Sequence, residues 1–66
     1  MWTYDIMFFA HANCIPHRRD VKGIRWFRVW REGFAPFGLR SGYVDLTDDE
    51  FRHWAFATYG VHLVGE

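Results

Sequence analysis

The order of apolar and polar residues at the start of the chain predicts a β-strand from Trp2 to Phe9. Large apolar side chains alternate there with polar ones, which is the period of a strand with two different faces. The apolar set is Trp2, Tyr4, Ile6 and Phe8. The next segment, His11–Gly23, has no clean period and contains Asn13 and Pro16, so we interpret it as a connecting loop. A loop of about 13 residues is long for a compact domain, and such loops usually carry function or contain a short element.

The segment Ile24–Arg31 has a pattern that fits a helix or a strand. Cations recur every three residues from Arg19 to Arg31, which suits a helix loosely. Gly23 would then lie inside the helix, and Trp, Phe, Val and Ile predominate as they do in strands. We therefore interpret the segment as a second strand, with the helix as the alternative. A turn region rich in Gly and Pro follows, and residues 39–46 are predicted to return as a third strand antiparallel to the second.

A helix over about residues 48–59 is predicted by signals at both of its ends. Thr47 and Glu50 have the spacing of a capping box, in which each side chain bonds the backbone N–H of the other residue. Gly60 is expected to stop the helix as a left-handed cap residue. The residues predicted to face the sheet are Phe51, Trp54, Ala55, Thr58 and Tyr59.

Together these elements predict a small α+β fold. A single-layer antiparallel sheet of three to four strands, the last being Val61–Val64, is expected to carry one C-terminal helix packed on one face. Residues 1–66 are expected to form one globular domain. The longest apolar run, Ile6–Ala10, is far too short to span a bilayer, and no secretion signal is recognisable. A single cysteine excludes an internal disulfide, so the expected location is the reducing cytoplasm.

Aromatic residues change the picture of how so short a chain is held together. Fourteen of the 66 residues are Phe, Trp or Tyr, and each can bury on the order of 150–250 Å². This burial offsets the weakness of a core built from fewer than about 70–80 residues. A domain of about 60 residues buries only about 60% of its unfolded surface, so some rings are expected to remain exposed for an interface. Exposed rings and a free strand edge also leave a symmetric homodimer open.

Charge is segregated along the chain although the eight cations and eight anions cancel. Residues 11–31 hold six cations and one anion, whereas residues 32–66 hold two cations and six anions. Arginines alternate with large rings in the second strand, as in platforms for single-stranded nucleic acid. The contacts that this alternative function predicts are Arg25, Trp26, Arg28, Trp30 and Arg31. In a plainer structural interpretation, Trp26 and Trp30 fill the core and acids of the second half pair with the cations within the fold.

An evenly spaced run of potential zinc ligands lies in the His11–Gly23 segment. The candidates are His11, Cys14, His17 and Asp20. Imidazole nitrogen, thiolate and carboxylate are zinc ligands, and a metal would stabilise a small core. The spacing departs from that of paired Cys-x2-Cys knuckles, and the alternative is a polar loop with a half-buried thiol.

No arrangement in the sequence predicts an enzyme. Cys14 with His11 or His17 has the chemistry of a nucleophile and a base, but so short a chain rarely builds the pocket and oxyanion hole that catalysis needs. Helix capping already explains the carboxylates of residues 48–50. A phosphate-binding glycine loop, a serine elbow and an HExxH motif are absent from the sequence. We therefore expect a non-enzymatic protein without a cofactor.

A protein-binding module is the function that the sequence favours. Trp, Tyr and Arg are enriched at interface hot spots, and these residue types are abundant here. The predicted contacts lie in the second strand and the turn after it: Arg25, Arg28, Arg31, Phe34, Phe37 and Arg40. An alternative acidic contact face, which would imitate phosphates on a basic partner, consists of Asp45, Asp48, Asp49 and Glu50.

The size of the chain and its missing catalytic motifs suggest a class of partner. Very short aromatic-rich chains of this kind are often accessory proteins of phages or mobile elements. We therefore expect the partner to be a larger host complex that handles nucleic acid, such as a CRISPR effector, a nuclease or RNA polymerase. The expected effect is inhibition through occupation of a charged surface.

Overall fold

The computed structural model describes residues 2–31 and 42–65 of the chain, and every structural statement below concerns these residues. The elements are β1 (Trp2–Asp5), α1 (Ile6–Ala12), β2 (His17–Arg19), β3 (Arg25–Arg31), β4 (Gly42–Thr47), α2 (Asp48–Tyr59) and β5 (Val61–Val64). Strands β2, β3 and β4 form an antiparallel sheet in that order. The predicted α+β fold with a C-terminal helix is confirmed. The last strand joins a second sheet, in which β5 pairs in parallel with β1.

Helix α2 packs against the three-stranded sheet, as the sequence predicts. Phe27 of β3 and Phe51 of α2 are fully buried, and their rings stack with centroids 4.1 Å apart. Ala55, one turn after Phe51, is also fully buried, whereas Tyr59 at the end of the predicted helix face is largely exposed. The part of α2 that reaches the core is therefore narrower than the helical spacing predicts.

Both ends of α2 form as predicted. The Glu50 carboxylate accepts the backbone N–H of Thr47 at 2.9 Å within a capping box. This hydrogen bond holds the pKa of Glu50 below its ordinary value. At the other end Gly60 has a φ of 69°, and its N–H donates to the Phe56 carbonyl oxygen at 2.9 Å. A side chain with a Cβ is strained at this φ, so glycine is the residue that ends the helix without cost.

The strand predicted over residues 2–9 is wrong beyond Asp5, where the chain turns into helix α1. Asp5 Oδ2 accepts the backbone N–H groups of Met7 and Phe8 at 3.1 and 3.0 Å, so Asp5 caps this helix. The buried residues of α1 follow helical spacing and are Ile6, Phe9 and Ala10. The alternating pattern treats Asp5 as one polar strand position, although its carboxylate ends the strand.

The segment interpreted as a loop, His11–Gly23, contains the short strand β2. Asp20 closes a tight turn between β2 and β3, because its Oδ1 accepts the backbone N–H groups of Lys22 and Ile24 at 2.9 and 3.0 Å. Gly23, in the same turn, has a φ of 84°. The turn places β2 at the edge of the sheet, next to β3.

The helices α1 and α2 have 7 and 12 residues. No helix within residues 2–31 and 42–65 is long and apolar enough to cross a membrane.

Candidate binding surface

The two faces of β3 carry different residues. Phe27 is fully buried against α2, whereas Trp26, Arg28 and Trp30 alternate with it and point away from the helix. The interpretation that Trp26 and Trp30 fill the core is therefore wrong. Large apolar residues occupy both faces of the strand, so the sequence pattern alone does not show which face is buried. The stack of Phe27 on the ring of Phe51 decides which side is buried.

Strand pairing places side chains of β2 and β4 beside the outward-pointing residues of β3. Directly opposite residues of antiparallel strands share one face of the sheet. The opposite pairs on the solvent side are Arg18 with Trp26, Arg28 with Asp45, and Trp30 with Tyr43. We call these six residues the outer face.

The outer face ends in an exposed aromatic pair. The rings of Trp30 and Tyr43 meet edge to face with centroids 5.2 Å apart, which is a favourable geometry for aromatic side chains. Trp30 is 50% exposed and Tyr43 is 68% exposed. A cleft of about 850 Å³ adjoins this pair and continues past Trp54 and Tyr59 of α2. Both rings therefore contact solvent beside a concave region.

An ion-pair cluster occupies the centre of the outer face. Arg28 Nε donates to Asp45 Oδ1 at 3.1 Å, and Arg18 Nη2 lies 3.6 Å from Asp45 Oδ2. The hydrogen bond from Arg28 holds the pKa of the Asp45 carboxyl below its ordinary value and raises the pKa of Arg28. Two cations therefore share one anion, and the centre of the outer face is only weakly positive.

The third aromatic residue of the outer face, Trp26, is held in place by polar contacts. Its Nε1 donates to Asp20 Oδ2 at 3.0 Å, and this hydrogen bond is the main cause of the lowered pKa of Asp20. The guanidinium of Arg18 lies over the indole, 5.7 Å from the ring centroid. One side of the Trp26 ring is thus covered, and Trp30 and Tyr43 are the more accessible rings.

The structure places Arg25, which the sequence predicts to contact a protein partner or nucleic acid, inside the fold. Its side chain is only 5% exposed and lies on the inner side of β3. Nε donates to Asp48 Oδ1 at 2.9 Å and Nη2 donates to Asp48 Oδ2 at 2.7 Å. This two-pronged pair joins β3 to the first turn of α2, so Arg25 stabilises the fold. The expectation that acids of the second half pair with cations of the first half is met here.

The predicted acidic contact face is also largely engaged within the fold. Asp45 pairs with Arg28, and both oxygens of Asp48 accept hydrogen bonds from Arg25. The remaining two acids differ in exposure. Glu50 caps α2, whereas the side chain of Asp49 is 88% exposed and bonds Arg52 one turn later at 3.1 Å. A surface of four free carboxylates that imitates phosphates does not form.

Only two of the four predicted zinc ligands are shown in contact with each other. The rings of His11 and His17 lie edge to face with centroids 5.5 Å apart. Cys14 is exposed, and the Asp20 carboxylate accepts hydrogen bonds in its turn and from Trp26. Within residues 2–31 and 42–65, no three His, Cys, Asp or Glu side chains are close enough to hold a metal ion. The structure therefore does not assemble His11, Cys14, His17 and Asp20 into one metal-binding cluster.

The structure adds two residues to the candidate contacts. Arg18 belongs to a charged run that sequence patterning assigns to a loop, and Tyr43 alternates with Asp45 in the predicted third strand. If the sequence had revealed β2 and the register of β4, Arg18 and Tyr43 would have been predicted on one face with Trp30. Arg31 is exposed at the end of β3. The predicted contacts that lie outside the described residues are Phe34, Phe37 and Arg40.

Comparison of the chain with models of known protein families, with curated proteins and with solved structures finds no match. The function is therefore argued from the outer face itself.

Proposed function

We propose that the protein is a non-enzymatic protein-binding module that contacts its partner through the outer face. The observation that carries the proposal is the exposed edge-to-face pair of Trp30 and Tyr43 beside the ion-paired Arg28. Tyr, Trp and Arg dominate the energetic centres of interfaces because they combine large apolar area with polar groups. Two aromatic rings held on a sheet also lose little conformational entropy when a partner covers them.

Single-stranded nucleic acid is the second candidate, because bases stack on exposed aromatic rings. The charge of the outer face favours a protein instead. Asp45 lies between Arg18 and Arg28 and satisfies part of both guanidiniums, so a phosphate would have to compete with this carboxylate. Arg25, one of the five residues predicted for nucleic acid, is buried in its pair with Asp48. Since phosphate neutralisation supplies most of the affinity of such proteins, this face is a weak polyanion site.

We further propose that the partner is a larger nucleic-acid-handling complex and that binding inhibits it. The charged centre of the outer face, with Arg18, Arg28 and Asp45, supports occupation of a charged surface on that complex. The outer face adds a specific contact region to that proposal.

Affinity capture with variants of the outer face tests the function. Trp30→Ala and Tyr43→Ala each remove one ring of the exposed pair. Trp2→Ala is the matched control, because Trp2 is a still more exposed tryptophan on β1, in the other sheet. We expect each outer-face substitution to weaken binding of the captured protein by about 30-fold, the effect of a hot-spot residue. Equal weakening by Trp2→Ala would place the contact elsewhere.

Fluorescence anisotropy with mixed-sequence single-stranded DNA and RNA at several salt concentrations separates the two candidates. We expect no salt-dependent binding of strands with 5′-hydroxyl ends by the wild-type protein. Tight binding that weakens steeply with salt, is lost in Trp30→Ala and is strengthened by Asp45→Asn would make nucleic acid the ligand of the outer face.

A further inference from the structure

A second concave region lies between β2 and α1. It is lined by Met7, His17, Arg18, Arg19 and Arg25, and we call it the basic groove. Three of these five residues are arginines and none is acidic. Only Arg18 is shared with the outer face, so the groove is a separate region of the surface.

The basic groove contains a cross-strand pair of like charges. Arg19 of β2 lies directly opposite Arg25 of β3, and directly opposite residues share one face of the sheet. Such like-charge pairs destabilise a sheet unless an anion compensates them. Asp48 compensates Arg25 with both of its oxygens. Arg19 makes a different contact, since its Nη1 donates to the Gly23 carbonyl oxygen at 2.8 Å.

Arg19 therefore keeps N–H groups for an external anion. Within residues 2–31 and 42–65, no carboxylate lies within ion-pair distance of Arg19. Its side chain is exposed at the edge strand. A guanidinium presents its donors in a planar fork that matches two oxygens of a phosphate.

His17 lies near this arginine on β2, and His11 contacts His17. His17 lies on the same side of β2 as Arg19, two residues along the strand. The ring of His11, from α1, meets the His17 ring edge to face at 5.5 Å. His11 lies one turn after Met7, so both are on one side of α1. The groove thus has guanidinium and imidazole groups along β2 and the apolar side chain of Met7 from α1.

We propose that the basic groove binds a phosphate monoester. Asp48 offsets the charge of Arg25, and Asp45 is shared by Arg18 and Arg28, so the charge of Arg19 and part of the charge of Arg18 remain for a bound anion. A phosphate monoester carries about −1.5 to −2 charges at neutral pH and has three acceptor oxygens. Arg19 and His17 supply the donors, whereas the N–H groups of Arg25 bond Asp48. This site is independent of the proposed protein contact at Trp30 and Tyr43.

Thermal unfolding with inorganic phosphate tests the site. Phosphate is titrated at constant ionic strength against sodium chloride, and the midpoint temperature gives the dissociation constant. At a phosphate concentration tenfold above that constant, the midpoint should rise by about 6–11 °C for a domain of this size. Sulfate, also a dianion at neutral pH, serves as a second ligand.

Three variants make the test specific. Arg19→Gln and His17→Gln remove groove donors, and Arg31→Gln removes an exposed arginine of β3 that does not line the groove. We expect Arg19→Gln to weaken phosphate binding by at least about tenfold, with a smaller loss for His17→Gln and none for Arg31→Gln. Midpoints without phosphate report whether each variant folds. Stabilisation by phosphate no greater than by chloride, or equal losses in Arg19→Gln and Arg31→Gln, would overturn the proposal.

The phosphate can belong to a small metabolite or to the end of a nucleic acid, and two further ligands separate these sources. A nucleoside 5′-monophosphate that binds as tightly as a 5′-phosphorylated tetranucleotide supports a small ligand. Tighter binding of the phosphorylated tetranucleotide supports a nucleic-acid end. If a tetranucleotide with a 5′-hydroxyl binds equally well, the monoester assignment is wrong.

Discussion

Replacement of Asp48 by Asn tests the ion pair that fixes the inner face of β3. The substitution keeps the size of the side chain but removes its charge and places an NH2 group near the donors of Arg25. Arg25 then loses at least one of its two acceptors at 2.9 and 2.7 Å. Its side chain is only 5% exposed, so water replaces the lost acceptor poorly.

The expected cost follows from the burial of the two partners. Removing one partner of a buried ion pair costs about 3–5 kcal/mol, because the other charge remains buried. The Asp48 side chain is 32% exposed, so solvent screens part of this loss. We therefore expect a loss of about 2–3 kcal/mol in the free energy of unfolding. A core of this size supplies only about 3–5 kcal/mol, so Asp48→Asn should leave the protein barely folded.

Urea unfolding at pH 7, followed by tryptophan fluorescence and circular dichroism, measures this loss. Asp49→Asn is the matched control, because Asp49 occupies the same helical turn but its side chain is 88% exposed. Both substitutions remove one acid from the positive end of α2, so their difference isolates the contact with Arg25. Asp49→Asn should cost less than about 1 kcal/mol. Equal losses in the two variants would refute the role assigned to the buried pair.

Three other predictions concern the fold. First, the hydrogen bond with Arg25 is the main reason that the pKa of Asp48 is lowered from 3.8. The stabilisation of the fold by Asp48 is therefore complete above pH 3.8 and disappears as pH falls through the folded pKa. The urea midpoints of wild type and Asp48→Asn should converge in acid. Second, Gly60→Ala should cost about 1 kcal/mol because Gly60 has a left-handed φ. Gly42→Ala should cost less, because Gly42 has no positive φ and an added Cβ would meet open space. Similar urea midpoints for the two variants would contradict this. Third, Phe51→Ala should cost about 3–5 kcal/mol and abolish cooperative thermal unfolding; a retained transition near the wild-type midpoint would show that the Phe51 stack is not central to the core.

Helix α2 could be predicted from sequence because its signals are local. The capping box spans Thr47 to Glu50, and Gly60 ends the helix by its own backbone conformation. Helix α1 could not be predicted in the same way. A single carboxylate, Asp5, decides whether the chain continues as a strand or turns into a helix, and in an alternating segment it looks like any polar strand residue.

The sequence predicts which residues belong to the candidate surface better than it predicts which way their side chains face. The sequence predicts Trp26, Arg28 and Trp30 as contacts, and these residues share the outer face. The burial of Arg25 depends on Asp48, 23 positions away, and such a distant pairing leaves no local pattern. The placement of Arg18 on the outer face depends on β2. This strand has only three residues within a charged segment, and it is too short for sequence periodicity to reveal.

Photocross-linking from the outer face is the most direct test of the central claim. A benzophenone amino acid is placed at Tyr43, the most exposed ring of the outer face, and in a second protein at Trp2, which is 71% exposed on β1. The account predicts that the protein labelled at Tyr43 cross-links to a protein partner and that the protein labelled at Trp2 does not. Cross-linking from Trp2 alone, or cross-linking from Tyr43 only to nucleic acid, would contradict the assignment of the outer face as a protein-binding surface.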